Sequence, residues 1–200
     1  GKKFAQFSKL NLHVVGYSSP INKILPKEKL LKHIYTQKDQ PNSVPYVTSY
    51  YKKRWGFCLS ENEKKKLPKG KYKVFIDSNF KKGNLKVAQA IIKGSSDKEI
   101  FFSSYICHPS MANNELSGPV LLNAIMKYVK KKKRNFTYRF VLLPETIGSI
   151  AYLSKFKDIM KKNVICGYNL TCVGDDRAYS YVASRDGNTI ADYFMDKNLK

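Results

Sequence analysis

Two hundred residues, 42% of them hydrophobic and 13% aromatic, are enough to bury a core without staples; a chain this size removes roughly 70% of its unfolded surface from water. That composition excludes a disordered chain, and no run approaches the roughly 20 apolar residues of a membrane helix. The net charge of +22 raises nucleic acid or an acidic surface as a partner. Yet it is carried mostly by lysine spread along the chain, and arginine, the residue suited to bidentate phosphate contacts, is scarce. A lysine-rich solvated surface is the simpler reading, so neither a membrane nor a nucleic-acid partner is expected.

In chain order, Leu10–Tyr17 reads as a strand and Leu25–Tyr35 as a short amphipathic helix with Pro26 early in it. A polar, proline-containing loop follows from Gln37 to Pro45. Tyr46–Tyr51 and Trp55–Leu59 are aromatic and strand-like, and Glu61–Leu67 is a brief polar helix or turn. Tyr72–Asp77 and Asn84–Ile92 alternate with period two, joined by a link at Phe80–Asn84 that suits a hairpin. These pieces suggest a small β-rich module over 46–95, with its tyrosines and Trp55 filling the core, between a start at 1–45 and an α/β domain at 96–200.

From Glu99 onward strands and helices alternate: strand 99–107, helix 115–131, strand 138–143, helix 148–161, strands 164–173 and 178–183, then a helix from Thr189 to Leu199. Such alternation predicts a sheet covered by helices. The sheet has no closing strand after that last helix, so the reading expects a fragment of a longer protein. The four cysteines, Cys58, Cys107, Cys166 and Cys172, form no C-x-x-C pair. A zinc ribbon or thioredoxin motif is thereby unsupported, and a reducing, cytoplasmic setting is expected. The first residues lack the apolar region of a signal peptide.

Ligands in open α/β sheets gather at the carboxyl ends of strands. One predicted strand ends at His108, the next delivers Glu145 past Pro144, and the third carries Asn169 and Thr171. A histidine and a carboxylate from separate strand ends suit a zinc site, the carboxylate serving as ligand or as base toward a bound water. A histidine after a strand is, however, more often a hydrogen-bonded structural residue. Asn113 and Asn114 also suit a turn or a helix cap, and Glu115 and Glu145 suit the positive end of a helix dipole. His13, on an alternating stretch, reads as a packing or hydrogen-bonding residue, and Lys130–Arg134 as the solvated end of a helix.

The stretch Ala112-Asn-Asn-Glu-Leu-Ser-Gly118 resembles the Ala-Asp-Asp-x-x-Ser-Gly element of co-catalytic zinc aminopeptidases. In that alignment His108 takes the place of a zinc-binding histidine and Asn113 that of the aspartate that bridges two zincs. Pro144-Glu-Thr-Ile-Gly-Ser149 resembles their Glu-Glu-x-Gly element. Aligned on the glycine, Glu145 is the general base and Thr146 stands where a ligand would be; shifted by one residue, Glu145 is the ligand. Asn169 matches a later aspartate ligand.

The chain is more closely similar, nearly end to end, to a bacterial family with an aminopeptidase-like domain associated with polysaccharide biosynthesis. The stretches that carry this are Leu10–Ser18, Val44–Tyr51, Trp55–Cys58, Ile106–Pro119 and Pro144–Ser149. The resemblance implies a zinc-peptidase-like mixed sheet flanked by helices, with a small β-rich inserted module. It implies a metal-dependent hydrolase of peptide or aminoacyl-type substrates, with Glu145 catalytic, His108, Asn113 and Asn169 toward the metal, and a further Asp and His beyond Lys200. A neutral amide at 113 offsets less of the charge of two dications than a carboxylate does, so one zinc is expected rather than two. The same substitution leaves open an inactive or repurposed fold that binds a ligand or partner in surface-polysaccharide synthesis.

Overall fold

The computed structural model describes residues 2–108 and 111–199. The chain divides into two compact units, Gly1–Lys82 and Gly83–Lys200.

In the first unit, strand β1 (Ile21–Pro26) pairs antiparallel with β4 (Lys71–Ile76), and the two-residue strands β2 (Ile34–Tyr35) and β3 (Phe57–Cys58) pair in parallel. Helices α1 (Lys27–Leu31) and α2 (Glu61–Lys65) are single turns or little more. α2 starts with a capping box, in which the Ser60 hydroxyl accepts the Glu63 N–H and the Glu63 carboxylate accepts the Ser60 N–H. Leu30, Ile34, Phe57, Leu59, Leu67, Val74 and Ile76 form the core, with Trp55 against it.

Several expectations fail here for one reason: pairing across the unit outweighs local pattern. Leu10–Tyr17 is a 3-10 turn at Asn11–His13 followed by isolated bridges from Val14 to Phe57 and from Gly16 to Thr48. The expected helix over 25–35 is cut at Pro26, which is extended (φ −66°, ψ 154°) and belongs to β1; only Lys27–Leu31 is helical. Tyr46–Tyr51 contributes one bridge rather than a strand, and Tyr46, Tyr50 and Tyr51 are exposed rather than in the core. His13 bonds through Nδ1 with the Cys58 carbonyl at 2.9 Å, and the His33 ring stacks on Trp55 with centroids 3.7 Å apart.

The second unit is a four-stranded sheet in the order β5-β7-β6-β8, where β5 is Ala88–Ile92, β6 Glu99–Tyr105, β7 Thr137–Leu143 and β8 Val164–Asn169. β6, β7 and β8 run parallel and β5 is an antiparallel edge. Helix α3 (Ser117–Lys130) links β6 to β7, and α4 (Ile147–Asn163) links β7 to β8; α5 (Ile190–Asn198) comes last.

The period of two along β7 sorts the core. Tyr138, Phe140 and Leu142 pack with Leu122, Ile125, Met126 and Val129 of α3. Val141 and Leu143 pack with Tyr152, Phe156 and Met160 of α4. Arg139 shares the second face and is buried, as its partner Glu99 is. Its guanidinium donates to both Glu99 oxygens, at 2.6 and 2.8 Å, and to Tyr152 and Gln89, both at 3.2 Å. A buried charge needs such a full set of partners.

The hairpin expected at Phe80–Asn84 does not form, because β4 pairs with β1 and β5 with β7. The stretch expected as one module, 46–95, accordingly shares its pairing with residues before 46 and after 95. The expected strand at Ala178–Ala183 is irregular as well. Tyr181 OH, the Ser184 N–H and the Ser184 hydroxyl donate to the buried carboxylate of Asp192, the third residue of α5. Among the described residues no helix is long and apolar enough to cross a membrane.

Candidate functional site

The parallel strands β6 and β7 end side by side, Tyr105 opposite Leu143, and the Ile106 N–H extends the ladder to the Leu143 carbonyl at 3.0 Å. Beyond β6 come Cys107 and His108; Pro109 and Ser110 lie outside the described residues. The chain then enters α3 through a π-helical turn, Ala112–Leu116, closed by the Leu116 N–H on the Met111 carbonyl. Such turns recur at functional sites. Asn113, Asn114 and Leu116 face solvent, whereas Glu115 is 7% exposed.

Glu115 closes the gap over the strand end. Its Oε1 accepts the backbone N–H of His108 at 2.7 Å and that of Cys107. Its Oε2 lies 3.3 Å from Nδ1 of His108. These donors make the burial of a carboxylate tolerable. The Ser117-Gly118 pair has its own reason: a Cβ on Gly118 would collide with the Ser104 hydroxyl and the Leu170 carbonyl, so only glycine lets α3 approach β6 this closely. Ser117 donates to the Asn113 carbonyl at 2.5 Å and accepts the Val173 N–H at 3.0 Å.

At the neighbouring crossing, Pro144 and Glu145 lead into α4 through Thr146, a β-branched residue held at φ 56°, ψ −75°. That conformation is costly for a non-glycine residue. The Glu145 N–H points to Cys107 Sγ at 3.2 Å, tying the two crossings together. The Glu145 carboxylate is half-exposed, and its Oε2 lies 4.0 Å from His108 Nδ1. Burial pushes the Cys107 thiol up, the Glu145 N–H opposes this, and the Glu115 and Glu145 carboxylates add to the rise. These influences run opposite to those that activate a cysteine nucleophile.

The structure thus brings His108 and Glu145 together and adds two side chains that the sequence reading did not assign to the metal, Cys107 and Glu115. The ligand-type atoms of Cys107, His108 and Glu115 all lie within 4.8 Å of one another. The two asparagines are turned to structural bonds. Asn113 Oδ1 accepts the Gly174 N–H at 2.7 Å, and Asn169 Oδ1 accepts the Ser103 hydroxyl at 3.0 Å. Thr146, set by the resemblance at a ligand place, begins α4 without a side-chain capping bond.

A family model described as "Domain of unknown function (DUF4910)" matches residues 12–200. The chain belongs to that family. It is 39% identical over 199 residues to a Clostridium acetobutylicum protein named "Putative polysaccharide biosynthesis protein with aminopeptidase-like domain", a match that takes in 100% of this chain and 46% of the relative. A crystal structure described as that of a "putative peptidase" from Clostridium acetobutylicum matches with a TM-score of 0.91 at 38% identity, over 98% of this chain and 46% of that one. The chain spans about half the length of these relatives.

The kinship with aminopeptidase-like proteins read from the motifs therefore holds for this DUF4910 chain, and so does the mixed α/β fold. The donor set is compatible with a metal ion. The His108 imidazole suits zinc, both Glu115 oxygens are engaged with Cys107 and His108, and each asparagine oxygen keeps a second lone pair beyond the bond it accepts. Glu115 eluded the sequence reading because a glutamate in a first helical turn ordinarily faces water; its burial follows from the π-helical turn.

Proposed function

We propose that this chain forms one wall of a metal-dependent, aminopeptidase-like hydrolase site that cleaves a peptide or amide bond, with one zinc ion held through His108. The observation that carries the reading is the convergence of His108 and Glu145 from two adjacent parallel strand ends, 4.0 Å apart. The names of the relatives support the reaction class. Further ligands are proposed to come from the portion of the longer protein that this chain does not span, with Asn113 and Asn169 secondary.

Zinc bound there would supply a water of near-neutral pKa and polarise the substrate carbonyl. Glu145, half-exposed and anchored by its own backbone N–H, takes the proton from the attacking water. Oxygen bonds to the carbonyl carbon, the C–N bond breaks, and the proton passes from Glu145 to the leaving amine. Cys107 Sγ holds the backbone N–H of Glu145. The free cysteines Cys58, Cys107, Cys166 and Cys172 fit a cytoplasmic setting, which is part of the proposal.

Metal analysis and hydrolysis of aminoacyl anilides by the full-length protein test this reading. Near-stoichiometric zinc that is lost in His108→Ala, with turnover lost in Glu145→Gln, is the expected result. No metal in the wild-type protein, or unchanged hydrolysis by Glu145→Gln, overturns it. A second reading, a repurposed fold that binds a ligand or partner of surface-polysaccharide synthesis, draws on Asn113 and Asn169 spending their oxygens on Gly174 and Ser103. Tight binding of a sugar or peptide without turnover would favour it.

A further inference from the structure

We propose that the first unit carries a binding platform for an acidic oligosaccharide, built from Tyr17, Tyr50 and Tyr51 and flanked by Lys52 and Lys53. Every residue in it belongs to the first unit, so it is independent of the metal-site reading. The stretches Leu10–Ser18, Val44–Tyr51 and Trp55–Cys58, which the metal site does not use, are bonded to one another here. The Gly16 N–H donates to the Val47 carbonyl at 2.9 Å, and the Ser49 N–H to the Gly16 carbonyl at 3.0 Å. The Val15 N–H donates to the Gly56 carbonyl at 3.0 Å.

On this frame three aromatic side chains stand out in water. Tyr17 is 58% exposed, Tyr50 57% and Tyr51 98%. The Tyr17 and Tyr50 ring centroids are 5.2 Å apart, and those of Tyr50 and Tyr51 6.3 Å, so the three form one contiguous patch. A single exposed ring needs no explanation, but a contiguous group marks a binding surface. Tyr17 is held at φ 61°, a costly conformation for a bulky side chain. The turn beneath fixes it there: the Ser18 hydroxyl and N–H both donate to the Val15 carbonyl, at 2.6 and 3.1 Å. The other side of the patch is pinned by Arg54, which donates to the Thr48 carbonyl at 2.7 Å, and by the Ser49 hydroxyl, which donates to the Lys52 carbonyl. Rings set out before a ligand arrives lower the ordering cost of binding it.

The chemistry of the patch selects its occupant. An exposed tyrosine offers an apolar ring face to the C–H side of a pyranose and a hydroxyl to the sugar's own hydroxyls. No aspartate or glutamate occurs in 1–27 or 40–60, the stretches that build the patch, whereas Lys52 and Lys53 are exposed next to Tyr51. Asp77 adjoins Ser78, whose hydroxyl donates to the Ser18 carbonyl at 2.7 Å; its single charge does not offset two ammoniums. The sugar is therefore anionic, with carboxylates such as those of uronic acids. A nucleic-acid strand is less well matched. Arg54 is turned inward onto Thr48 and Tyr35, so the guanidinium fork suited to phosphate is spent within the loop.

The test is a titration of the full-length protein with a galacturonic acid hexamer, beside cellohexaose, a thymidine hexanucleotide and a glutamate hexapeptide at one salt concentration. The expected result is tightest binding of the acidic hexasaccharide, weakened roughly 2–10-fold by Tyr50→Ala or Tyr51→Ala. Lys52→Gln combined with Lys53→Gln should flatten its salt dependence. Tyr51 and both lysines are exposed, so these variants keep the fold. In the wild-type protein the tyrosine ring resonances should shift on binding, which reads the site without any variant. No binding of the galacturonic acid hexamer, or binding unchanged by the tyrosine substitutions, overturns the proposal. Tighter binding of the nucleotide or the peptide overturns it by assigning the patch to another partner, and equal binding of cellohexaose overturns it by removing the need for an acidic sugar.

Discussion

Two strand-to-helix crossings lie side by side in the second unit, and they solve the same problem differently. The crossing from β6 to α3 is sealed: a π-helical turn folds Glu115 inward, where it collects the N–H groups of Cys107 and His108. The crossing from β7 to α4 is taut and open: Thr146 is held at a positive φ, and Glu145 extends to solvent. Both deliver a carboxylate to the same face of His108. The carboxylate spent on backbone donors holds the strand end, and the one left half-exposed is the proposed base. Burial and bonding, rather than residue type, divide the roles.

That division is broken first at Glu145. Glu145→Gln should lower the turnover of any amide substrate by at least about 100-fold, the usual scale for removing a general base, while the unfolding midpoint stays at the wild-type value. A variant with full activity would remove Glu145 from the chemistry. Glu115→Ala should behave in the opposite sense. Two buried N–H groups lose their acceptor, and unfolding free energy measured with denaturant should fall by about 3 kcal/mol. A midpoint equal to that of Glu145→Ala would show that the two carboxylates are not different in kind.

Smaller effects sharpen the same contrast. Gly118→Ala places a methyl against Ser104 and Leu170 and should cost about 1–3 kcal/mol through overpacking, read as a lower unfolding midpoint. Thr146→Gly relieves a strained conformation at some entropic cost and should stabilise by about 0.5–1 kcal/mol; lower stability would mean that the threonine is not strained. Asp192 offers the sealed device without a histidine. It accepts from Tyr181, Ser184 and Thr189, and the hydroxyls of Ser184, Thr189 and Tyr181, with the Ser184 N–H, hold its carboxyl far below the usual range. The unfolded chain therefore binds the proton more readily. The stability from Asp192 is present above its ordinary pKa of about 3.9 and is lost as pH falls toward the folded value. Asp192→Asn should flatten the acid side of the stability profile, and parallel profiles would refute this.

In the second unit the elements were legible wherever periodicity ran long. β6, β7, α3, α4 and α5 lie where alternation and 3.6-residue spacing put them, within a few residues. His108 and Glu145 were legible as strand-end residues because parallel strands set their carboxyl ends at one edge. In the first unit short segments misled: the 25–35 stretch carries a helical pattern, yet β1 takes its first residues through pairing with β4. Glu115, Cys107 and the inward π-helical turn were not legible, since a single added residue in a helical turn leaves no period to read.

The sequence alone determined the alternating α/β order, the kinship carried by its motifs, and the pair of residues placed at adjacent strand ends. These depend on local spacing, which a chain carries within itself. The tertiary structure decided that β4 and β5 part to different sheets, that the asparagines spend their oxygens on Gly174 and Ser103, and that Glu115 turns onto His108. Each of those depends on which distant donor or strand arrives alongside. Glu115, the buried one of these polar groups, takes the partners that the fold brings within reach, because leaving it unpaired costs more than any local preference returns.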